Sequence, residues 1–331
     1  MKAALEHWLL QRWYGGKTPG FGLRFLAGVH HLGLKSRAAL APRGVADRKK
    51  LSAPVIVVGN FTAGGTGKTP LVIALAEHLQ QRGFRPGIVS RGYGRTSREP
   101  VRVGRETPTE QCGDEPKLMF ERTGMPVLVD RDRLAAANAL IADGCDLILA
   151  DDGLQHANLP RDIEIEVLDG ERRYGNGLLI PAGPMREAPR SVDLRVVNGG
   201  EAQAGEFAMR LQFADAVSLV NGEPRSLDSL AGMTVDAIAG IGNPGRFFEA
   251  LRGLGVSVRE HAFADHHRYR AEDFSAMPGP WLMTEKDAVK CRSLGLRAAW
   301  AMPVRAELPV DFYRALDGKL DPLRRNRRPH D

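Results

Sequence analysis

The sequence predicts an α/β fold: a mostly parallel sheet covered by helices on both faces, followed by a second, smaller α/β domain. First, the β-branched run "APVIVVGN" (53–60) leads directly into a glycine-rich loop and a helical segment (70–83). Second, strand and helix patterns alternate as far as residue 169, as they do in βαβ units. Third, residues 233–255 contain another strand, glycine loop and helix.

The helix at 70–83 begins with Pro70 in its first turn and ends at Gly83, both favourable positions for these residues. Residues 162–169, "DIEIEVLD", alternate apolar and acidic side chains, which is typical of an edge strand. The other predicted elements are strands at 85–90, 126–129 and 145–153, a strand beginning at 280, and a helix at 131–144.

Residues 206–227 lack a strong hydrophobic periodicity. Their sequence predicts short paired strands about a turn at Asn221-Gly222. We interpret this stretch as the connection between domains. The predicted division is an N-terminal amphipathic helical region (1–45), a larger domain (46–205), the connection (206–232) and a smaller α/β domain with a basic tail (233–331).

The composition is that of a globular protein in a reducing compartment. The chain has 331 residues, 43% of them hydrophobic and 26% charged, and this length favours two domains. Its three cysteines are odd in number and widely spaced, a pattern that indicates neither a disulfide framework nor a zinc site. These features favour the cytoplasm.

The net charge of +6 is concentrated at the ends of the chain. Residues 1–50 contain ten Lys or Arg against two acids, a net charge of +8, so the rest of the chain sums to −2 even with the basic tail Arg324–Arg328. A continuous basic face for nucleic acid is therefore not expected.

The N-terminal region is both basic and apolar. Leu5, Trp8, Leu9 and Trp13 share one helical face, and a second apolar segment (21–34) is interrupted by charged and histidine side chains. Neither segment approaches the roughly 18 apolar residues of a spanning helix. Tryptophans beside cations suit a lipid headgroup surface, so the region is expected to lie on a membrane. The alternative is that these helices pack on the protein itself.

Residues 62–69, "TAGGTGKT", nearly match the phosphate-binding pattern G-x-x-x-x-G-K-[ST], with Thr62 at the place of the first glycine. The glycines let backbone N–H groups face phosphate at a helix N-terminus. Lys68 can reach the β- and γ-phosphates, and Thr69 can coordinate Mg²⁺. The flanking strand and helix favour a P-loop NTPase-like domain over the alternative, a glycine-rich turn.

Two acids, Asp151 and Asp152, follow the apolar run "DLILA". A P-loop enzyme needs an acid at the end of a neighbouring strand to support its metal ion, and this segment resembles such a strand. Taken alone, the pair also fits a helix cap or a turn. Together, the phosphate loop at 62–69 and this pair of acids favour a P-loop enzyme more strongly than either motif does alone.

Further polar motifs could orient an acceptor hydroxyl. "GDEP" (113–116) holds two carboxylates, and "DHHRY" (265–269) places an acid beside two histidines. Alone, the first also fits a solvated turn, and the second a structural histidine or a metal-ligand pair. "TEKD" (284–287) differs from the guanine-reading N-K-x-D pattern because its lysine comes one place late.

Eight segments, in order along most of the chain, resemble the tetraacyldisaccharide 4'-kinases, the lipid A 4'-kinases of Gram-negative bacteria. A threonine at the position of Thr62 belongs to that family's loop, whereas Leu154 stands where phenylalanine is common. The segments are "VGNFTAGGTGKTP", "SRGYGR", "GDEP", "DDGLQH", "IPAGPMRE", "AIAGIGNPGRFF", "DHHRY" and "TEKDAVK".

The resemblance implies transfer of a phosphoryl group from ATP to the 4'-hydroxyl of a tetraacylated glucosamine disaccharide 1-phosphate, at the cytoplasmic face of the bacterial inner membrane. Asp114 would be the base for the hydroxyl. His266 would pair with Asp114, with His267 as the alternative, and Lys68 would hold the phosphates. The residues implied to support Mg²⁺ are Thr69, Glu115, Asp151 and Asp152.

The resemblance also implies phosphate or substrate contacts for Arg91 and Arg186. The acylated acceptor explains a membrane-associating N-terminus, because each acyl CH₂ favours the bilayer by roughly 0.8 kcal/mol. The residues implied to contact ATP are Thr62, Ala63, Gly64, Gly65, Thr66, Gly67, Lys68, Thr69, Gln155 and His156.

Two other classes of function remain open from the residues alone. One is a soluble P-loop NTPase of the metal-insertion GTPase type. The phosphate loop and the histidine motif suit this class, but the sequence has no guanine-reading motif. The other is a non-catalytic basic module that binds a membrane or nucleic acid. A preference for GTP over ATP would distinguish the GTPase from the kinase. Binding without nucleotide turnover would distinguish the non-catalytic module.

Overall fold

The computed structural model describes residues 2–40 and 50–327, and the surroundings of side chains at 8–36 and 50–324. The predicted boundary between residues 45 and 46, and Arg328 in the basic tail, lie outside the described residues. Over the described ranges the helices are α1 (Lys2–Tyr14), α2 (Phe21–Leu40), α3 (Lys68–Gln81), α4 (Thr109–Cys112), α5 (Asp114–Thr123), α6 (Arg133–Ala142), α7 (Pro244–Gly253), α8 (Glu285–Cys291) and α9 (Val310–Arg327).

The strands form two sheets, both mostly parallel. They are β1 (Val55–Gly59), β2 (Pro86–Ser90), β3 (Val101–Arg102), β4 (Val127–Val129), β5 (Leu147–Ala150), β6 (Ile163–Asp169), β7 (Leu194–Asn198), β8 (Phe207–Phe213), β9 (Ala216–Ser218), β10 (Pro224–Arg225), β11 (Thr234–Ala239), β12 (Ser257–Ala262), β13 (Trp281–Thr284), β14 (Ala299–Met302) and β15 (Val304–Glu307).

The larger sheet has nine strands in the order β15-β8-β7-β6-β1-β5-β2-β4-β3. All neighbouring strands from β8 to β4 are parallel, and β15 and β3 are antiparallel edges. Buried side chains of α3, α5 and α9 (Leu75, Met119, Phe312) pack on one face, and Leu140 of α6 packs on the other. The predicted α/β/α arrangement is therefore confirmed.

The smaller sheet has six strands in the order β10-β9-β14-β13-β11-β12. Strands β14, β13, β11 and β12 are parallel, and β9 and β10 pair antiparallel, with residues 219–223 between them. Phe248 of α7 packs on one face and Ala288 of α8 on the other. A second, smaller α/β unit was predicted and is present.

The prediction that 162–169 is an edge strand is wrong. Strand β6 lies between β1 and β7 and is almost entirely buried. The buried Glu166 accepts hydrogen bonds from Arg195 Nε at 2.6 Å and Tyr174 Oη at 2.8 Å. Its alternating acids therefore reflect paired charges inside the sheet and not a solvent-exposed face, because a buried carboxylate is tolerated when it is paired.

The end of the chain also differs from the predicted division. Strand β15 pairs with β8 in the larger sheet, and Leu316 and Leu320 of α9 lie in that sheet's core. Residues 304–327 therefore return to the larger unit, although 233–331 was predicted as one domain. The predicted connection 206–232 is itself divided, because β8 belongs to the larger sheet and β9 and β10 to the smaller.

The N-terminal helices differ in how they meet the protein. In α1, Trp13 Nε1 donates to the carbonyl oxygen of Pro181 at 3.0 Å. In α2, Ala27 is buried, whereas Phe21 is 86% exposed and Leu32 65% exposed on another face. No helix in the described part of the chain is apolar over a long enough stretch to cross a membrane.

Candidate active site

The phosphate loop joins β1 to α3 at the carboxyl edge of the larger sheet. Thr62 is buried and forms a β-bridge with Met185. This role requires no glycine, which explains the departure from the usual pattern. Gly67 does require glycine, because its φ is 92° and a Cβ there would lie 2.6 Å from Asn198 Nδ2. Gly64 and Gly65 are exposed, so their backbone can approach a ligand.

Lys68 is the first residue of α3 and lies across the loop from two oxygen acceptors. Its Nζ donates to Asn60 Oδ1 at 3.2 Å and lies 3.5 Å from Asp152 Oδ1. The side chain is only 11% exposed. A cation at a helix N-terminus beside exposed glycine amides is a favourable environment for phosphate.

Asp151 and Asp152 follow β5, the strand next to β1. Asp151 is buried, accepts a hydrogen bond from Ser90 Oγ at 3.0 Å on one oxygen, and over the described residues its Oδ1 has no hydrogen-bond partner. Burial, with the charges of Glu115 and Asp152, raises the pKa of Asp151. Lys68 and Arg186 outweigh the effect of burial on Asp152 and hold its pKa well below the ordinary value.

The "IPAGPMRE" segment closes this side of the site. Arg186 Nη1 donates to both carboxylate oxygens of Asp152, at 2.8 and 3.0 Å. Gln155 Nε2 donates to Asn60 O at 2.9 Å and Glu187 Oε1 at 3.0 Å. Arg186 therefore meets an acid of the protein in this structure, and the Gln155 amide joins the segment to the end of β1.

Asp114 begins α5 and is buried, so the alternative of a solvated turn for "GDEP" is wrong. The loop before it is packed closely: Gly113 has a φ of 95°, and a Cβ there would lie 3.3 Å from the Cα of Gly92. The carbonyl oxygen of Tyr93 would lie at the same distance of 3.3 Å, so the backbone of Gly92 and Tyr93 packs against the residue before Asp114. The Tyr93 ring lies 5.0 Å from the ring of His266.

His266 comes from the smaller unit and pairs with Asp114. Its Nδ1 lies 3.0 and 3.1 Å from the two carboxylate oxygens of Asp114. His266 has a φ of 61°, a conformation that is uncommon for a residue other than glycine and recurs at functional sites. His267 instead pairs with Asp273 at 3.0 Å. The geometry therefore favours His266 for the predicted dyad.

Two lysines of α8 near Asp114 were not predicted as site residues. Lys286 Nζ lies 3.0 Å from Glu115 Oε1, 3.1 Å from Asp265 Oδ1 and 3.9 Å from Asp114 Oδ2. Lys290 Nζ also lies 3.9 Å from Asp114 Oδ2. The "TEKDAVK" motif contained both lysines, but only the fold shows that they point across the cleft.

The cations around Asp114 determine its protonation. Burial would raise the pKa of Asp114, but the hydrogen bond from His266 and the charge of Lys286 outweigh it and leave the pKa below its ordinary value. Burial would lower the pKa of His266, and the hydrogen bond to Asp114 outweighs that effect and raises it. Each group therefore favours the charged form of the other.

The structure brings most of the predicted site residues to one edge of the larger sheet. Glu115 lies close enough for its charge to act on Asp151, so the acids of α5 and β5 face the same space. Arg91 is exposed. The predicted ligand contacts of Arg91, His156 and Thr69 stay predictions.

A phosphate loop, two acids at the end of the neighbouring strand and a buried carboxylate paired with a histidine are thus assembled around one cleft. The family model described as "Tetraacyldisaccharide-1-P 4'-kinase" matches residues 20–321. The chain belongs to this kinase family. The earlier resemblance, the phosphotransferase class and the function in lipid A biosynthesis are confirmed.

Relatives named tetraacyldisaccharide 4'-kinase are similar over almost their whole length. The one from Stenotrophomonas maltophilia is 50% identical over 328 residues, covering 95% of this chain and 97% of the relative. The one from Xylella fastidiosa strain M12 is 48% identical over 325 residues, covering 94% and 96%.

A solved structure has the same architecture. The LpxK protein of Aquifex aeolicus, crystallised in complex with ATP, superposes with a TM-score of 0.71 at 29% identity, covering 88% of this chain and 95% of that one. The 4'-kinase family membership makes the chain an ATP-dependent kinase of tetraacyldisaccharide 1-phosphate. It also overturns the metal-insertion GTPase and the non-catalytic module as alternatives.

Proposed function

We propose that the cleft between the two units is the phosphoryl-transfer site and that Asp114 is the base for the 4'-hydroxyl. The observation that carries the proposal is the pair formed by the buried Asp114 and the partly exposed His266, 3.0 Å apart, on the same side of the larger sheet as Lys68 and the acids after β5. A carboxylate there stays ionised at neutral pH, because its pKa is lowered.

The residues divide the reaction between them. The proton of the 4'-hydroxyl passes to Asp114, its oxygen bonds to the γ-phosphorus of ATP, and the bond from that phosphorus to the β–γ bridging oxygen breaks to leave ADP. Lys68 and the glycine amides stabilise the phosphate charge. His266 orients Asp114 and favours its ionised form.

The acids after β5 fit a magnesium ion. Asp151 offers a buried oxygen without a hydrogen-bond partner in the described chain, and a hydroxyl, carboxylates, water and phosphates are the ligands Mg²⁺ prefers. Over those residues no cluster of three or more His, Cys, Asp or Glu could hold a metal, so phosphates and water would complete the shell. We assign Thr69, Asp151 and Asp152 to the ion, with Glu115 supporting its water shell. Bound Mg²⁺ would neutralise charge on the phosphates.

The outward face of α2 supports association with a membrane. Phe21, Phe25, Val29 and Leu32 follow one helical face and are all more than half exposed, and such an apolar row suits the headgroup boundary of a bilayer. In α1, Trp8 is partly exposed while Trp13 binds the protein. The N-terminal region therefore both packs on the protein and offers an apolar face to a membrane. We propose the cytoplasmic face of the inner membrane, where ATP is available.

The decisive experiment is transfer of labelled γ-phosphate from Mg·ATP to tetraacyldisaccharide 1-phosphate in detergent micelles. We expect labelled lipid from the wild type and a loss of about 100-fold or more in Asp114→Ala, with an unchanged unfolding transition. Asp311→Ala, which removes a carboxylate of α9 that is 72% exposed, is the control and should transfer phosphate at the wild-type rate. Wild-type transfer by Asp114→Ala would overturn the role of base, and release of free phosphate alone would overturn the acceptor.

Membrane association is tested by flotation with vesicles of phosphatidylethanolamine and phosphatidylglycerol. We expect the wild type to float and the triple variant Phe21→Ser, Phe25→Ser, Leu32→Ser to remain in the soluble fraction. Val220→Ser with Val310→Ser is the control, because both side chains are exposed and apolar but lie outside α2. Equal flotation of the triple variant would overturn α2 as the docking face.

A further inference from the structure

Lys286 holds an unusual place in α8. The helix begins after Thr284, whose Oγ1 accepts from the backbone N–H of Asp287, and Lys286 is its second residue. A lysine in the first helical turn opposes the helix dipole, which favours acids there. Local helix stability therefore does not explain this residue, and its partners lie outside the helix.

Those partners are acids from both sides of the cleft. Lys286 Nζ donates to Glu115 Oε1 of the larger unit at 3.0 Å and to Asp265 Oδ1 of the smaller unit at 3.1 Å. The lysine side chain is 16% exposed, and both acids are about one-third exposed. Asp265 precedes His266, and Glu115 follows Asp114, so Lys286 joins the neighbours of both members of the dyad.

Other ion pairs cross between the two units without approaching the dyad. Arg292 donates to Glu121 at 2.8 Å, also from the α8 side to α5, but its side chain is 46% exposed. Arg122 pairs with Glu285 at 2.7 Å. These pairs link the same helices but do not reach the dyad. Removing one of them therefore shows how much a contact between the two units contributes to stability, separately from any effect on catalysis.

We propose that Lys286 is a positioning residue for phosphoryl transfer, which holds Glu115 and Asp265 together and thereby aligns Asp114 with His266. Without its charge, the carboxylates of Glu115 and Asp265 would face each other across the cleft beside the dyad, and like charges at this separation repel. The alignment would be lost although each catalytic side chain remained. This inference rests on the proposed roles of Asp114 and His266.

The test compares the rate constants of Lys286→Met, Lys286→Arg and Arg292→Gln in the labelled-phosphate assay. We expect Lys286→Met to lower kcat about 100-fold with a change in KM for ATP of less than about threefold, because misplacement by roughly 1 Å has an effect of that size. Lys286→Arg keeps the charge and should recover activity to within about tenfold. Arg292→Gln should stay within about twofold of wild type.

A double-variant cycle separates positioning from general stability. If Lys286 acts through Asp265, Asp265→Asn should lower kcat in the wild type but change it less than about twofold in Lys286→Met. Thermal unfolding and ATP binding establish that each variant is folded. If Lys286→Met does not fold, Lys286→Gln takes its place in the cycle.

Three outcomes would overturn the inference: a wild-type kcat in folded Lys286→Met, an equal loss in Arg292→Gln, or additive effects in the cycle. Absence of transfer by the wild type would instead overturn the proposed function, so the two failures are distinguishable. Loss of kcat in Lys286→Met, recovery in Lys286→Arg and a non-additive cycle would establish Lys286 as a positioning residue.

Discussion

The chain contains two strand–glycine loop–helix segments that look alike in sequence: β1 to α3 in the larger unit and β11 to α7 in the smaller. Both strands are buried and parallel to their neighbours, and both helices have a cation in their first turn. Lys68 is the first residue of α3, whereas Arg246 is the third residue of α7.

The two segments differ in what surrounds the loop. Beside β1, strand β5 is followed by Asp151 and Asp152, and Asp152 Oδ1 lies 3.5 Å from Lys68 Nζ. Arg246 instead pairs with Glu171 of the larger unit at 3.1 Å. A glycine loop before a helix favours anions in general, but phosphoryl transfer also needs a cation directed at the loop and an acid on the neighbouring strand. The smaller unit supplies the side chain of His266, which pairs with Asp114.

The largest expected effect separates the two loops. We expect Lys68→Met to lower kcat about 1,000-fold, because a charged donor to the transferred phosphoryl group is lost. Arg246→Met should stay within about threefold, since that cation is paired with acids of the protein. Both are measured by labelled-phosphate transfer at saturating ATP. A similar decrease in kcat in the two variants would show that the two loops do not differ in function.

The next effect tests what the smaller unit supplies. We expect His266→Ala to lower kcat about 100-fold through its partner Asp114, and His267→Ala to stay within about threefold. His267 contacts Asp273 and the Phe263 ring, so its removal should instead lower the midpoint of thermal unfolding. The reverse order of rates would assign the dyad to His267.

A smaller effect concerns the contact between the loops. A Cβ on Gly242 would lie 3.2 Å from the backbone N of Gly65, whereas a Cβ on Gly245 would come no closer than 3.8 Å to Asn243 Oδ1. We expect Gly242→Ala to raise the KM for ATP roughly fivefold, equivalent to about 1 kcal/mol. Gly245→Ala is the control and should leave KM unchanged. Equal KM values would show that the loops do not act on each other.

The smallest expected effect is on stability and depends on pH. The pKa of His266 is raised above its ordinary 6.5 by the hydrogen bond to Asp114, which outweighs burial. The charged histidine therefore contributes stability that is complete below pH 6.5 and is lost as the pH rises through the raised pKa. In urea unfolding, the difference in unfolding free energy between wild type and His266→Gln should be largest below pH 6.5 and should decrease as the pH rises above it. A difference in unfolding free energy that increases with pH would contradict the assignment of a charged His266 paired with Asp114.

Local features of the larger unit were predictable. The phosphate loop, its helix and the acids after β5 follow from short segments whose spacing alone indicates a nucleotide site. Strand β6 was misinterpreted because Glu166 is acidic yet buried, and its partner Arg195 lies on the adjacent strand. The return of α9 to the larger sheet was not predictable either, since an amphipathic helix does not indicate which core it covers.

By itself, the sequence determined a phosphate loop between a buried strand and a helix, because backbone preferences and residue spacing act over a few positions. Only the tertiary structure decided that His266, and not His267, meets Asp114, since these partners are 152 positions apart. It also decided that Lys286 faces Glu115 and Asp265. Such pairs form when two sheets and their helices pack against each other, and that packing depends on contacts throughout the chain.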